Sequence, residues 1–197
     1  LCQWSSRQLG GVRITSCPGG AFQATSNNAP LTGPFPKVHN PTESRMRVYL
    51  AGPLFTLAER RFMASLRDLV GAVPGVDALW PGDLFVNDDL AAMGDEAKTH
   101  IFCGCTTGLA GCDLVAAVLD GSQVDDGTAW EIGYAFAKGL PVWGLRTDFR
   151  VAGDTPHSLV NCMIECSCAR IFREIDGFLA ALGRFSADGG RIETGHE

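Results

Sequence analysis

From Met46 onward the chain alternates short apolar runs with amphipathic stretches, and glycine and proline punctuate the changes. Residues 47–51 (Arg-Val-Tyr-Leu-Ala) are a β-branched and aromatic run closed by Gly52-Pro53, the pattern of a strand and its turn. Thr56 to Val70 sets Leu57, Phe62, Leu66, Leu69 and Val70 on a helical stripe. A second strand is predicted over Val76–Trp80, between Pro74-Gly75 and Pro81-Gly82, and a mostly helical stretch over Leu90–Leu109. Asp113-Leu-Val-Ala-Ala-Val-Leu119 is apolar at successive positions, as a strand covered on both faces of a parallel sheet must be. Thr128–Lys138 reads as a helix stopped by Gly139, with Lys138 in its last turn. Strands over 140–145 and 169–172 and a closing helix over 175–182 complete the series. This alternation predicts an α/β protein, a three-layer αβα sandwich with a five-stranded, mostly parallel sheet of the flavodoxin-like or Rossmann-like kind. Such sheets bind ligands beyond the carboxyl ends of their strands.

The first 45 residues break the pattern. They are rich in Gly, Ser, Pro and Asn without a sustained period, and set four basic side chains against one acid, a net +3. Such a segment cannot easily bury enough apolar surface to offset its ordering entropy. It is expected to be a disordered leader or a start-site artefact, with a folded domain over 46–185 and a flexible tail over 186–197. It lacks the continuous apolar core of a signal peptide. The remaining 152 residues carry 12 basic and 21 acidic side chains, so the domain is more acidic than the −6 of the whole chain implies. An acidic domain without a basic stripe is not built to hold nucleic acid. The longest nearly uncharged stretch, 101–119, is interrupted by Asp113 and diluted by Gly and Thr, so no membrane span is expected and the location is taken as cytoplasmic. Eight cysteines in 197 residues fall short of the density of a disulfide scaffold.

The candidate chemistry is concentrated between Asp113 and Ala135, where Asp113, Asp120, Asp125, Asp126 and Glu131 follow one another. A structural account exists for part of it: Thr128-Ala-Trp-Glu131 has the form of a capping box, and acids are favoured at a helix N-terminus by its dipole. His100, Cys103, Cys105 and Cys112, with Cys166 and Cys168, raise the question of a metal. Cys-x-Cys on a helix points its two thiols to different faces, which makes joint ligation awkward. Reduced thiols are the expectation, and no metal or cofactor is assigned. Trp130 and Trp143 sit in apolar contexts and read as core or pocket wall.

Three strings, V-Y-L-A-G-P-L-F (48–55), D-D-G-T-A-W-E-I-G-Y-A (125–135) and V-N-C-M-I-E (160–165), occur in an order that resembles the nucleoside 2-deoxyribosyltransferase family, over about Met46–Phe172. The resemblance implies an enzyme that moves 2-deoxyribose between nucleobases without a cofactor. Glu131 would attack C1′ and hold the sugar as a covalent ester. A second base would then displace it, two inversions giving net retention. Asp113 and Asp125 would contact the departing and arriving base, one of them as general acid. Asp126, one residue closer to Glu131, is the rival of Asp125 for that place. Tyr49 would position the nucleophile, though a strand tyrosine is equally at home in a core. Gly52 would shape the loop after the first strand. Asn161 and Met163 would be lent by a neighbouring subunit to the sugar 5′-hydroxyl and over the site, which implies a homo-oligomer with a shared active site. Otherwise they read as a surface Asn and a core Met. The partners implied are deoxyribonucleosides and free nucleobases. The alternatives are a nucleoside or nucleotide N-glycosidase of the same superfamily, with water as acceptor, and a non-catalytic nucleoside-binding protein.

Overall fold

The computed structural model describes residues 45–85 and 87–190, the side chains of 87–89 excepted. The expected leader lies outside the described residues except for Arg45, whose guanidinium donates to the Val76 carbonyl at 2.5 Å. Five strands form one sheet: β1 (Met46–Ala51), β2 (Val76–Leu79), β3 (Leu114–Val118), β4 (Val142–Leu145) and β5 (Arg170–Phe172). Their spatial order is β2-β1-β3-β4-β5, and every pairing is parallel. Around them run α1 (Leu57–Gly71), α2 (Asn87–Met93), α3 (Ala97–Ala110), α4 (Asp126–Ala137), α5 (Cys162–Ser167) and α6 (Ile175–Ala187).

Alternation along the strands divides the core into two layers. Val48 and Leu50 of β1, with Leu114, Ala116 and Val118 of β3, face Met63, Leu66 and Val70 of α1 and Phe178, Leu182 and Phe185 of α6. Trp143 of β4 fills this layer and meets Phe172, Phe178 and Phe185 at centroid distances of 5.4, 6.3 and 5.1 Å. On the other face Tyr49 and Ala51, with Val115 and Ala117, meet Leu109 of α3 and Ile132 and Ala135 of α4. The result is the three-layer sandwich that the alternation predicts, with β3 buried at all five positions.

Several local expectations need correction. The buried stripe of α1 is Met63, Leu66 and Val70, while Leu57 and Leu69 stay exposed. The loop at Thr56 sets this phase: its hydroxyl accepts from Glu59 N–H, and the Glu59 carboxylate accepts from Thr56 N–H, a complete capping box. The mostly helical stretch expected over 90–109 is divided between α2 and α3, because Gly94 takes a φ of +55° that no continuing helix can accommodate. At the far end α6 runs to Ala187, past the expected start of the tail, and Ser186 Oγ donates to the Pro74 carbonyl at 3.0 Å. Residues 191–197 lie outside the described part.

Candidate active site

In a 2-1-3-4-5 sheet the chain leaves β1 toward one edge and returns beside it at β3, so the topological switch point lies between β1 and β3. Both strands lead into loops that the fold holds tightly. After β1, Gly52 lies where a Cβ would come within 2.5 Å of Met63 Sδ and 3.3 Å of Val118 Cβ, so the loop passes close over α1. After β3, residues 119–125 lead to α4, whose N-cap is Asp125: its Oδ2 accepts from Thr128 N–H and from Thr128 Oγ, both at 2.9 Å. The expected Thr128–Glu131 capping box is therefore not formed. The helix starts two residues before Thr128, Thr128 is buried, and Glu131 falls in the second turn, free to face the sheet.

There it meets Tyr49. The phenol, fully buried in the layer beneath α3 and α4, donates to Glu131 Oε1 at 2.6 Å. Burial pushes the Glu131 carboxyl up to about 7; the Tyr49 hydrogen bond opposes that rise and the charge of Asp125 adds to it. Burial, and then the Glu131 carboxylate, push the Tyr49 phenol far above its ordinary value, so it stays protonated and can act only as a donor to Glu131. A half-buried carboxyl poised near neutrality, with one oxygen held by a phenol, can serve as a nucleophile or as a proton carrier.

The loop that carries Asp125 is latched to the one after β4. Arg146, fully buried at the end of β4, donates to the carbonyls of Leu119, Gly121 and Arg150. Asp120 accepts from Thr147 Oγ at 2.5 Å and Asp148 N–H at 2.9 Å, so it ties two loops together and does not cap its own turn. Asp148 does that, accepting from Gly121 N–H, where φ is +110°, while pairing with Arg150. Arg150 draws the Asp148 carboxyl well below its usual range.

The other expected site residues are spread more widely. Asp113 precedes β3 at the amino edge of the sheet, and its Oδ2 accepts from Arg47 N–H at 3.0 Å. The reading that brought it together with the loop acids is corrected: in a parallel sheet the whole of β3, about 20 Å from Asp113 to Leu119, separates the two ends. Asp126 is exposed at the first turn of α4 and accepts from Gly127 N–H at 2.8 Å, whereas Asp125 is the acid that acts on Glu131. Asn161 caps α5, accepting from Met163 N–H at 3.0 Å and donating to Asp154 at 3.3 Å. Met163 is 75% exposed, so the core reading of it is wrong. Trp130 is also no core residue; it is half exposed, stacks on Tyr134 at 5.3 Å and takes the edge of Phe102. Among the described residues no group of three metal-binding side chains converges. Cys105, Cys112, Cys162, Cys166 and Cys168 carry free thiols, of which Cys112 is buried and Cys162 and Cys166 are exposed; Cys103 is not free.

Comparison with known proteins identifies the family and the fold. The family model described as nucleoside 2-deoxyribosyltransferase matches residues 48–167. The chain belongs to the nucleoside 2-deoxyribosyltransferase family. An uncharacterized protein of Ureaplasma parvum serovar 3 is 32% identical over 118 residues, covering 54% of this chain and 73% of the relative. Among solved structures, a conserved protein from Enterococcus faecalis V583 superposes with a TM-score of 0.61 at 28% identity, over 71% of this chain and 98% of the other. A 2-deoxyribosyltransferase from Bacillus psychrosaccharolyticus shares the fold, with a TM-score of 0.57 at 21% identity over 69% and 95% of the two chains. The family is one of enzymes acting on nucleosides and nucleobases. The segment matched to it spans Tyr49, Asp125, Glu131, Asn161 and Met163 and stops short of β5 and α6.

Sequence reading passed over two features of this nucleoside 2-deoxyribosyltransferase family member. Arg146 follows a strand and has no pattern to mark it. Cys105 was legible only as a doubtful metal ligand, yet it lies on the same face of α3 as Gly108 and Leu109, and that face is turned toward Tyr49.

Proposed function

We propose that this protein transfers 2-deoxyribose between nucleobases by double displacement, with Glu131 as nucleophile. The observation that carries the reading is the Tyr49–Glu131 hydrogen bond in a half-buried setting that holds the carboxyl near pH 7. Tyr49 occupies Oε1, which leaves Oε2 to attack C1′. The C1′–N bond breaks, its electron pair leaves with the base, and the sugar is held as a Glu131 ester. A carboxylate is a sound choice, because its ester remains a competent leaving group for the second base. Attack from the opposite face restores the β configuration, the retaining logic of glycosidases with a base in place of water. Asp125, at the N-cap and beside Glu131, is the acid we assign to the base, as proton donor to the departing nitrogen and acceptor from the arriving one. Asn161 and Met163 we assign to the site of a second copy. Their exposure and the apolar character of Met163 support that arrangement, in which the active protein is a homo-oligomer.

The test is incubation with 2′-deoxyinosine, with and without free adenine, followed chromatographically, and repeated with pyrimidine deoxynucleosides and an acceptor base. Formation of deoxyadenosine only when adenine is present, abolished in Glu131→Ala, is the expected result. Release of hypoxanthine at the same rate without an acceptor would make the protein a hydrolase. Full turnover by Glu131→Ala would remove the nucleophile from the scheme.

A further inference from the structure

The inward stripe of α4 is Thr128, Ile132 and Ala135, and Thr128 is its polar member. Thr128 and Arg146 are the polar side chains that lie buried among the described residues. Arg146 is accounted for by the loops it latches, and Thr128 is not. Packing does not require its hydroxyl, since valine has nearly the same volume and no polar atom to satisfy. Capping does not require it either, because Asp125 already holds the helix start through Thr128 N–H at 2.9 Å. The hydroxyl is turned to the same acid: Thr128 Oγ donates to Asp125 Oδ2, again at 2.9 Å.

Both donors therefore fall on one oxygen. A carboxylate oxygen has two lone pairs to receive with, and the two bonds fill those of Oδ2. The backbone closes in on the same atom, since a Cβ at Gly127 would come 3.3 Å from Asp125 Oδ2. A proton carried by this carboxyl must then ride on Oδ1.

We propose that Thr128 is a positioning residue for Asp125: its hydroxyl fills Oδ2, confines the acid's proton to Oδ1, and so presents that oxygen to the base. The inference rests on the reading of Asp125 as the acid that serves the base. In the first half of the reaction the C1′–N bond breaks and its electron pair leaves with the base, while Glu131 forms the bond to C1′. The proton passes from Asp125 Oδ1 to a ring nitrogen of the base, and its bonding pair stays on Oδ1. The arriving base returns a proton to the same oxygen in the second half. Thr128 itself exchanges no proton. Without its hydroxyl a lone pair of Oδ2 is vacant, and the proton can settle on the oxygen turned away from the substrate.

The test measures single-turnover release of the base, with enzyme in excess and no acceptor, from 2′-deoxyinosine and from 7-methyl-2′-deoxyinosine. The methylated base is already cationic and leaves as a neutral molecule without being protonated, so its release needs no acid. Thr128→Val should slow release of hypoxanthine at saturation about tenfold, part of the full effect of a general acid, and leave release of the methylated base within about twofold of wild type. Thr128→Ser keeps the donor and should return most of the loss. Thr128→Ala replaces the Val variant if that one does not fold. Equal slowing of both substrates overturns the proposal, because the hydroxyl would then only support the fold. An unchanged rate for deoxyinosine overturns it too, as does an effect confined to the half-saturating concentration. A selective loss that Ser does not return also overturns it, since the methyl group would then be at work. Asp125→Asn separates this inference from the reading beneath it: it should slow deoxyinosine at least about a hundredfold and spare the methylated substrate. If it does so while Thr128→Val does not, the inference alone fails; if it does not, Asp125 is not the acid and both fall.

Discussion

Glu131→Gln should make the folded protein more stable, and by an amount that depends on pH. The carboxyl titrates near 7 in the native structure against an ordinary value of 4.5, with burial as the main cause and Asp125 adding to it. Each unit of difference is worth 1.36 kcal/mol, so holding the ionised side chain in place costs about 3 kcal/mol. The sign follows from proton binding. Between pH 4.5 and about 7 the native state holds the Glu131 proton more tightly than the unfolded chain does, so wild-type stability falls as pH rises through that window and levels off above it. Gln has no proton to lose, and its Oε1 can still accept from Tyr49. The advantage of the variant should be small at pH 5 and reach about 3 kcal/mol at pH 8, or about 6–12 °C in Tm for a domain of this size. Urea or thermal unfolding of both proteins at pH 5, 6, 7 and 8 measures the gap. A gap that is the same at pH 5 and pH 8 would refute the claim that burial of the ionised carboxylate strains the fold. Under the proposed mechanism the same variant should be inactive, and together the two results would mark Glu131 as a residue kept for function at the expense of stability.

Other substitutions probe the rest of the site. Tyr49→Phe removes the bond that holds Glu131 down, so the acid limb of kcat/KM should shift above 7 and activity at pH 7 should fall at least about tenfold; an unchanged limb would show that the bond does not tune the carboxylate. Asp113→Asn should leave kcat/KM close to wild type, because the residue stands at the amino edge of the sheet on Arg47; a tenfold loss, about 1.4 kcal/mol in the barrier, would return it to the site. Arg146→Met removes a buried charge but strands the carbonyls of Leu119, Gly121 and Arg150, at a cost of about 2–3 kcal/mol in urea unfolding; a neutral result would mean that the loop latch is dispensable. Gly52→Ala drives a Cβ against Met63 and should cost about 1–3 kcal/mol, relieved in the double variant with Met63→Val; additivity of the two changes would refute direct contact.

The fold was legible in the chain because its strands and helices carry consistent local signals. Leu114–Val118 is apolar throughout and is buried throughout, Gly52-Pro53 follows β1, and Pro74-Gly75 and Pro81-Gly82 bracket β2. Phase and boundaries were less legible. The Thr128-x-x-Glu131 string has the form of a capping box, and so does Thr56-x-x-Glu59, but only the second one caps a helix. At the first, Asp125 is three residues upstream of Thr128 and takes the cap with a carboxylate, which moves the helix start and turns Glu131 inward. Asp113 misled for a different reason. Its neighbours in sequence make the strand that leads to the site, and a strand carries the chain from one edge of the sheet to the other. The face of α3 that meets Tyr49 lay hidden because the contact is made between distant parts of the sequence, by the packing of a helix on a strand, and a helical period can show only which face turns inward.

Tyr49 shows why core and site need not be competing descriptions of one residue. Val48 and Leu50 face the α1 and α6 layer, so parity alone places Tyr49 in the layer beneath α3 and α4, where a ring is needed to fill space. Once buried, its hydroxyl must find a partner or be left at a cost. The partner it finds is a carboxylate, and the low dielectric that makes the bond strong is the same one that raises Glu131 toward 7. Packing thus fixes the donor, and the donor fixes one oxygen of the acid. A carboxylate in that position is more reactive than one in water, because it has given up part of its hydration before any substrate arrives. The carboxylate we propose as nucleophile is prepared by the same contacts that close the core.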